Sequence, residues 1–392
     1  MGQRAGEPGE VTGRVLFVVP PFAGHVNPTL GVGAELRRRG YTVAWCGDPR
    51  LVPGAYPAAV PGQAPRPDGL SGFPALRHLW ERVLLPLAEA MTPGVRAAVD
   101  HFRPDLLVVD QQALAGAVVA TSAGLPWATS ATTSGELAGP LAGLPRVREW
   151  LTGLLAPLGV PGDPRFSPHL VLAYTTPELT GSDAGVPVRY VGPVPREVQD
   201  AGFPWERLEP GYPLVYVTLG TVSGGGARFL GECVAALAAR THLRAVVADP
   251  HGVVRDPPGT VLVYPWVPQP ALLRRAAAVI CHAGHNTTCE ALAAGVPLVV
   301  APITDDQPVV AEQVVNAGAG VRLRFRHATT ERIGGAVDAV LADPGYREAA
   351  HRVRVSFDRA GGAVAAADHL ECLLPSRRRA WRQVGSRQSP GR

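Results

Sequence analysis

The densest run of chemically capable residues lies between His282 and Gln307. It begins His-Ala-Gly-His-Asn-Thr-Thr-Cys-Glu and ends, past a second apolar run, in Asp305-Asp306-Gln307. Ala276 to Cys281 before it is an apolar run of strand length, and Thr287 to Ala294 holds good helix formers, stopped by Gly295 and Pro297. Gly284, His285, Asn286 and Thr287 therefore form a strand-to-helix junction. Backbone N–H groups at such a junction, with the positive end of the helix dipole, bind anions and phosphate above all. His282 enters the turn from the strand and adds a possible hydrogen bond to the same anion. A further strand from Pro297 to Ala301 delivers Asp306 and Gln307, a carboxylate and an amide suited to sugar hydroxyls, to the same sheet edge. Ligands of open α/β sheets bind outside that edge.

Two more reactive residues end strands in the first half. His25 lies in a turn from Pro20 to Pro28, after a buried-type strand from Arg14 to Val19 and before a helix from Thr29 to Arg39. Tyr41 to Trp45 is the next strand, so the chain opens as half of a doubly wound fold. The turn is not a dinucleotide fingerprint, because Gly31 and Gly33 fall inside the helix and Leu36 stands where a third glycine is needed. Asp110 ends a strand from Leu106 to Val109 and precedes a helix from Gln111 to Ala123 and a strand from Trp127 to Thr129. Between them, Pro49 to Gly72 is irregular and reads as a functional loop. Phe73 to Phe102 reads as a helix interrupted at Pro86 and Pro93. Pro193 to Pro213 reads as a linker. A second α/β pattern follows: a strand from Leu214 to Thr218, a Gly-rich turn holding Thr221, a helix from Ala227 to Arg240, and strands at Leu243 to Ala248 and Val261 to Tyr264.

Composition narrows the function classes. A chain of 392 residues with 46% hydrophobic and 18% charged residues is globular and long enough for two or three domains. The formal charge is +4, but six Arg fall between Pro375 and Arg392, and the remainder is slightly acidic. The folded part thus has no basic excess to recruit nucleic acid. The five Cys include no Cys-x-x-Cys pair, which fits reduced thiols in a cytoplasmic protein. No run approaches the length of a membrane span, so no stable membrane insertion is expected. Cys281, His282, His285 and Cys289 lack a usual zinc spacing, and no Asp-x-Asp motif is present.

The stretch from His282 to Gln307, with Glu290 inside it and Trp266-Val267-Pro268-Gln269 upstream, resembles the donor signature of the family 1 nucleotide-sugar glycosyltransferases, most closely their bacterial antibiotic and macrolide branch. Phe22-Ala-Gly-His-Val-Asn-Pro28 matches the Gly-His-x-x-Pro pattern of the same family. The resemblance spans roughly residues 14 to 374. It implies the GT-B fold, in which two Rossmann-like domains face across a cleft. Their expected bounds are 1–205, with a loose leader at 1–13, and 206–374, with the last helix returning to the first domain; a basic disordered tail at 375–392 follows.

The resemblance also implies roles. His25 is the general base and Asp110 its partner. Trp266 stacks on the nucleobase, the Val267 backbone pairs with the base edge, Gln269 and Glu290 reach the ribose, and Asp306 and Gln307 hold the sugar. The turn at Gly284 to Thr287, with His282 and Thr221, receives the diphosphate. Family members often carry Asn-Ala a few residues after the Asp-Gln pair; here the chain reads Pro308-Val-Val-Ala-Glu312, which leaves the sugar preference open. Phe22, Phe73, Leu79, Trp80 and Leu84 are candidate walls for the acceptor.

The expected activity is inverting, metal-independent and cofactor-free transfer of a sugar from a UDP- or dTDP-sugar to an apolar small-molecule acceptor. A nucleotide-sugar epimerase of the same fold and a non-catalytic nucleotide-binding auxiliary protein are the alternatives.

Overall fold

The computed structural model describes residues 13–62, 70, 72–137, 143–181, 188–195, 202–220 and 226–374. Most of the expected leader, the basic tail at 375–392, Thr221 and parts of the loop at 49–72 and of the linker lie outside them.

Two parallel sheets organise the chain. The first half runs β1 (Arg14–Val18), α1 (Ala23–Arg38), β2 (Thr42–Gly47), β3 (Tyr56–Pro57), α2 (Gly72–His78), a π-helical stretch (Leu79–Leu84), α3 (Leu85–Phe102), β4 (Leu106–Asp110), α4 (Leu114–Ala123), β5 (Trp127–Ala131), α5 (Pro145–Leu155), β6 (Val171–Ala173), α6 (Pro177–Thr180) and β7 (Val188–Tyr190). The second runs β8 (Leu214–Thr218), α7 (Ala227–Ala238), β9 (Arg244–Ala248), β10 (Val261–Tyr264), α8 (Gln269–Leu273), β11 (Ala276–Cys281), α9 (His285–Ala293), β12 (Leu298–Val300), α10 (Gln307–Asn316), β13 (Gly320–Arg322), α11 (Thr330–Ala342), α12 (Pro344–Ala360) and α13 (Gly362–Glu371).

The strand orders are β3-β2-β1-β4-β5-β6-β7 and β10-β9-β8-β11-β12-β13. Each order reverses once, between β1 and β4 in the first sheet and between β8 and β11 in the second. Crevices of doubly wound sheets open at these switch points. His25 follows β1 and Asp110 ends β4; Gly220 follows β8 and His282 follows β11. All four residues therefore stand at the two places where such sheets bind ligands.

Because parallel strands are covered on both faces, they read as continuous apolar runs. Val15, Phe17, Leu106 and Val108 face one layer of the first core, while Leu16, Val18, Leu107 and Val109 face the other. The end of the chain crosses back. α12 buries Ala349, Val353 and Phe357 against the second sheet, whereas α13 buries Ala366, Ala367 and Leu370 in the core of the first. Gly361, at φ +85°, makes the break between the two helices, and the Gly362 N–H donates to the Val191 carbonyl at 2.7 Å. Arg39, directly after α1, clamps α13 through Asp368 at 2.6 Å and Glu371 at 3.0 Å.

Four local expectations shift. α1 begins at Ala23 instead of Thr29 and carries Pro28 inside it, so His25 lies on the first helical turn. α9 begins at His285 instead of Thr287, and α4 at Leu114 instead of Gln111. Neither Pro86 nor Pro93 breaks the helix: Pro86 opens α3, directly after the π-helical stretch, and Pro93 lies inside α3. A π turn is one way to accommodate the N–H that proline lacks.

Candidate active site in the cleft

His25, Asp110 and Thr132 form a closed hydrogen-bonded set. Asp110 is fully buried at the end of β4. His25 Nδ1 lies 2.9 Å from Asp110 Oδ1 and 3.1 Å from Oδ2. The Thr132 hydroxyl donates to Asp110 Oδ2 at 2.6 Å and stands 2.7 Å from His25 Nδ1. The Gln112 N–H donates to Asp110 Oδ1 at 2.8 Å, so Asp110 also shapes the turn before α4. With its proton on Nδ1 and directed at the carboxylate, the imidazole keeps a lone pair on Nε2. Burial works against the imidazolium, but the charge and hydrogen bond of Asp110, with help from Asp306 and Glu136, outweigh it and hold His25 above the usual histidine range. The Phe22 ring lies tilted 5.5 Å from the imidazole. Thr132 was not foreseen from the sequence. Its one signal is position, since β5 neighbours β4 and continues two residues beyond the expected Thr129.

The turn expected to take phosphate is built by backbone. Ala283, buried, adopts φ +63°, a left-handed conformation uncommon for a residue with a side chain. Gly284 then caps α9 in extended conformation, and the first bond of the helix runs from the Thr288 N–H to the Gly284 carbonyl. The N–H groups of His285, Asn286 and Thr287 precede that ladder and form the helix N-terminus. The His282 ring fills the space between two glycines: a Cβ on Gly284 would come within 2.4 Å of it and one on Gly220 within 2.9 Å. Burial pushes His282 down to about 4, only partly opposed by the Thr218 backbone, and its Nδ1 is buried without a hydrogen-bond partner. His282 is thus neutral at pH 7, so positive potential at the turn comes from the backbone dipoles.

Of the residues matched to the nucleoside, Gln269 and Glu290 come together. Trp266 is 52% exposed, unlike a core tryptophan. The Val267 carbonyl accepts the Gln269 N–H at 2.9 Å. Gln269 Nε2 donates to Glu290 Oε2 at 2.7 Å, and its Oε1 accepts the Tyr216 hydroxyl at 3.0 Å. This chain ties α8 to α9 beside the turn. Gln307 Oε1 accepts the N–H groups of Ile303 at 2.8 Å and Thr304 at 3.0 Å, so it closes its own loop. Asp305 in that loop adopts φ +56°.

The remaining donor residues reach across the cleft. Asp306 accepts a hydrogen bond from the Thr133 hydroxyl, and burial raises its carboxyl above the usual range. The His285 side chain does not line the phosphate turn. Its ring is buried, Nδ1 lies 3.1 Å from Ser134 Oγ, and burial lowers it to about 4. Only its backbone N–H serves the turn. Ser134 donates in turn to Gln313 Oε1 at 2.7 Å. Asn286 Nδ2 donates to the Gly24 carbonyl at 2.6 Å, one residue before His25. Among the candidate acceptor walls, Trp80 and Leu84 are buried in a satellite core with Leu114 and Leu151, while Phe73 is 43% exposed and meets Trp150 edge-on.

Comparison with known proteins bears directly on this cleft. The family model described as "Erythromycin biosynthesis protein CIII-like, C-terminal domain" matches residues 232–360. The chain is 30% identical to 4'-demethylrebeccamycin synthase of Lentzea aerocolonigenes, over 92% of this chain and 99% of that protein. Among solved structures, the glycotransferase of kitacinnamycin superposes with a TM-score of 0.76 at 28% identity, covering 93% of this chain and 99% of its own. The spinosyn rhamnosyltransferase SpnG, solved in complexes with thymidine diphosphate and with spinosyn aglycone, superposes at 0.73 with 26% identity over 91% of this chain and 100% of its own. The two facing parallel-sheet domains are the GT-B arrangement of these enzymes. With full-length similarity and the donor signature in place, the chain belongs to the glycosyltransferases of antibiotic and secondary-metabolite biosynthesis.

Proposed function

We propose that the enzyme transfers a sugar from a dTDP- or UDP-linked donor to a hydroxyl of an apolar small molecule, with inversion and without a metal ion. The observation that carries this reading is the His25–Asp110 pair at 2.9 Å, held one residue from the point where the donor helix touches α1. The acceptor hydroxyl would lose its proton to His25 Nε2 as its oxygen attacks the anomeric carbon. The bond from that carbon to the diphosphate oxygen breaks in the same step, and a single displacement inverts the centre. Asp110 accepts the hydrogen bond from Nδ1–H throughout, stays ionised, and stabilises the imidazolium that forms. General-base assistance of this kind is worth about 10² to 10⁴ in rate. The departing diphosphate would settle on the N–H groups of residues 285 to 287, with His282 as a neutral donor and Thr221 as a candidate hydroxyl. Preorganised donors of this sort carry developing charge without a cation.

Support for the donor class comes from SpnG, which was solved with thymidine diphosphate. The half-exposed Phe73 and the Phe22 ring beside His25 suit an apolar acceptor. In this reading the donor is a co-substrate and no cofactor takes part. The test is calorimetric titration with dTDP, UDP, GDP and NADH on the intact enzyme and on His282→Ala. Binding of dTDP or UDP that weakens at least tenfold in the variant supports the donor site. Binding of NADH alone overturns it. Conversion of the nucleotide sugar with no acceptor present assigns an epimerase instead.

A further inference from the structure

Pro28 sits inside α1, where it has no N–H to give to the carbonyl of Gly24 four residues earlier. In an uninterrupted helix that carbonyl would be taken. Here it accepts instead from Asn286 Nδ2 at 2.6 Å, across the cleft and from the first turn of α9. A Cβ on Gly24 would come within 3.2 Å of Asn286 Nδ2, so a side chain there would press on this contact. A glycine, a proline and an asparagine 262 positions away thus act on one carbonyl, and His25 is the next residue after it.

We propose that Asn286 is a positioning residue for the base, its side chain holding the first turn of α1 while its backbone belongs to the phosphate turn. The donor helix thereby sets the His25 ring only when the two domains are closed on each other. The loop after β5 joins the same closure: Thr132 holds His25 and Asp110 within the first domain, and the next two residues cross to the second, Thr133 to Asp306 and Ser134 to His285 and Gln313. Closure over the donor and alignment of the base become one event. The inference rests on His25 being the base.

The test uses the full-length enzyme with dTDP-glucose as donor and 4-methylumbelliferone as acceptor probe, with amide hydrogen exchange over residues 22 to 29 in the presence of dTDP as a readout that needs no turnover. Asn286→Ala is expected to speed exchange in that segment and to lower kcat about tenfold, as losing one hydrogen bond does, with dTDP affinity and melting temperature nearly unchanged. Pro28→Ala restores an N–H for the Gly24 carbonyl. In that background the same Asn286→Ala change should cost less than threefold and leave exchange close to that of Pro28→Ala alone. Equal effects of Asn286→Ala in both backgrounds would overturn the proposal. So would a large loss of dTDP affinity, which would assign the side chain to the diphosphate. His25→Ala separates the two readings: if turnover survives it, the base assignment fails, and if turnover is lost while the cycle is additive, only the positioning role fails.

Discussion

Thr132 Oγ1 stands 2.6 Å from Asp110 Oδ2 and 2.7 Å from His25 Nδ1. The hydroxyl proton goes to the carboxylate, so the oxygen faces the imidazole N–H with its lone pairs and shares it with Asp110. The imidazole is held from two sides, and the loop after β5, an element bearing neither the His nor the Asp, supplies the third group. Hydrogen bonds to charged partners are worth about 1.5–3 kcal/mol. Thr132→Val should therefore lower kcat by about one to two orders of magnitude with little change in donor KM, while Thr132→Ser retains most of the rate. Steady-state kinetics of the two variants decides it; equal losses in both would assign Thr132 to packing alone.

The elevated titration of His25 sets a pH dependence. A base must be unprotonated, so kcat/KM should rise with pH through a transition above the ordinary histidine value of 6.5. Because the folded value is raised, binding of the proton stabilises the fold below the unfolded value, and this contribution disappears as pH rises through the folded one. Activity and this part of stability thus run in opposite directions. Asp110→Asn removes the charge that raises His25 and should move the activity limb to lower pH while reducing the plateau. A limb that does not move in Asp110→Asn would detach it from His25.

His282 and His285 act in the opposite sense. Burial holds both at about 4, below their unfolded value, so between there and about 6.5 the unfolded chain binds the extra protons. Stability is complete above that window and falls as pH drops through it. Urea denaturation at pH 5 and pH 7 should show a loss that is smaller in His285→Gln, which removes one of the two groups. An unchanged pH dependence in that variant would show that His285 is not the buried neutral group described.

Trp266, half exposed, holds little of the core together. Base–aromatic stacking is worth about 1–3 kcal/mol. Trp266→Ala should weaken dTDP binding about five- to a hundredfold by calorimetry and leave the melting temperature within about a degree. A large fall in melting temperature without loss of affinity would place the ring in the fold and not in the donor site.

Gly284→Ala brings a Cβ to within 2.4 Å of the His282 ring, a separation that cannot stand. The ring or the turn must shift, and nucleotide affinity should fall by about tenfold or more. Gly231→Ala, on the outer side of α7 where a Cβ meets nothing, is the control and should bind normally.

Most strands were legible in the sequence because each is a local apolar run closed by turn residues; Val261 to Tyr264 and Ala276 to Cys281 lie where that pattern puts them, whereas β3, only Tyr56–Pro57, falls in the stretch read as an irregular loop. The helix starts were less so. α1, α4 and α9 are entered through Phe22, Ala113 and Gly284, none of which makes a side-chain capping bond. Without a cap there is no local mark of where such a helix begins. Pro28 read as a turn residue for the same reason, since the residue that satisfies the freed carbonyl is Asn286, in the other domain.

The sequence by itself determined that two doubly wound sheets form, that His25 lies in the junction after the first strand and Asp110 ends another, and that a strand-to-helix turn follows His282 in the second. These follow from periodicity and from residues only a few positions apart. Tertiary structure alone decided that Thr132 joins His25 and Asp110, that His285 faces Ser134 and not the turn, and that Asn286 meets Gly24. Those contacts span 107, 151 and 262 positions. No local propensity encodes separations of that size; they exist because burying both faces of each sheet, with α13 returned to the first core, brings the two strand edges together.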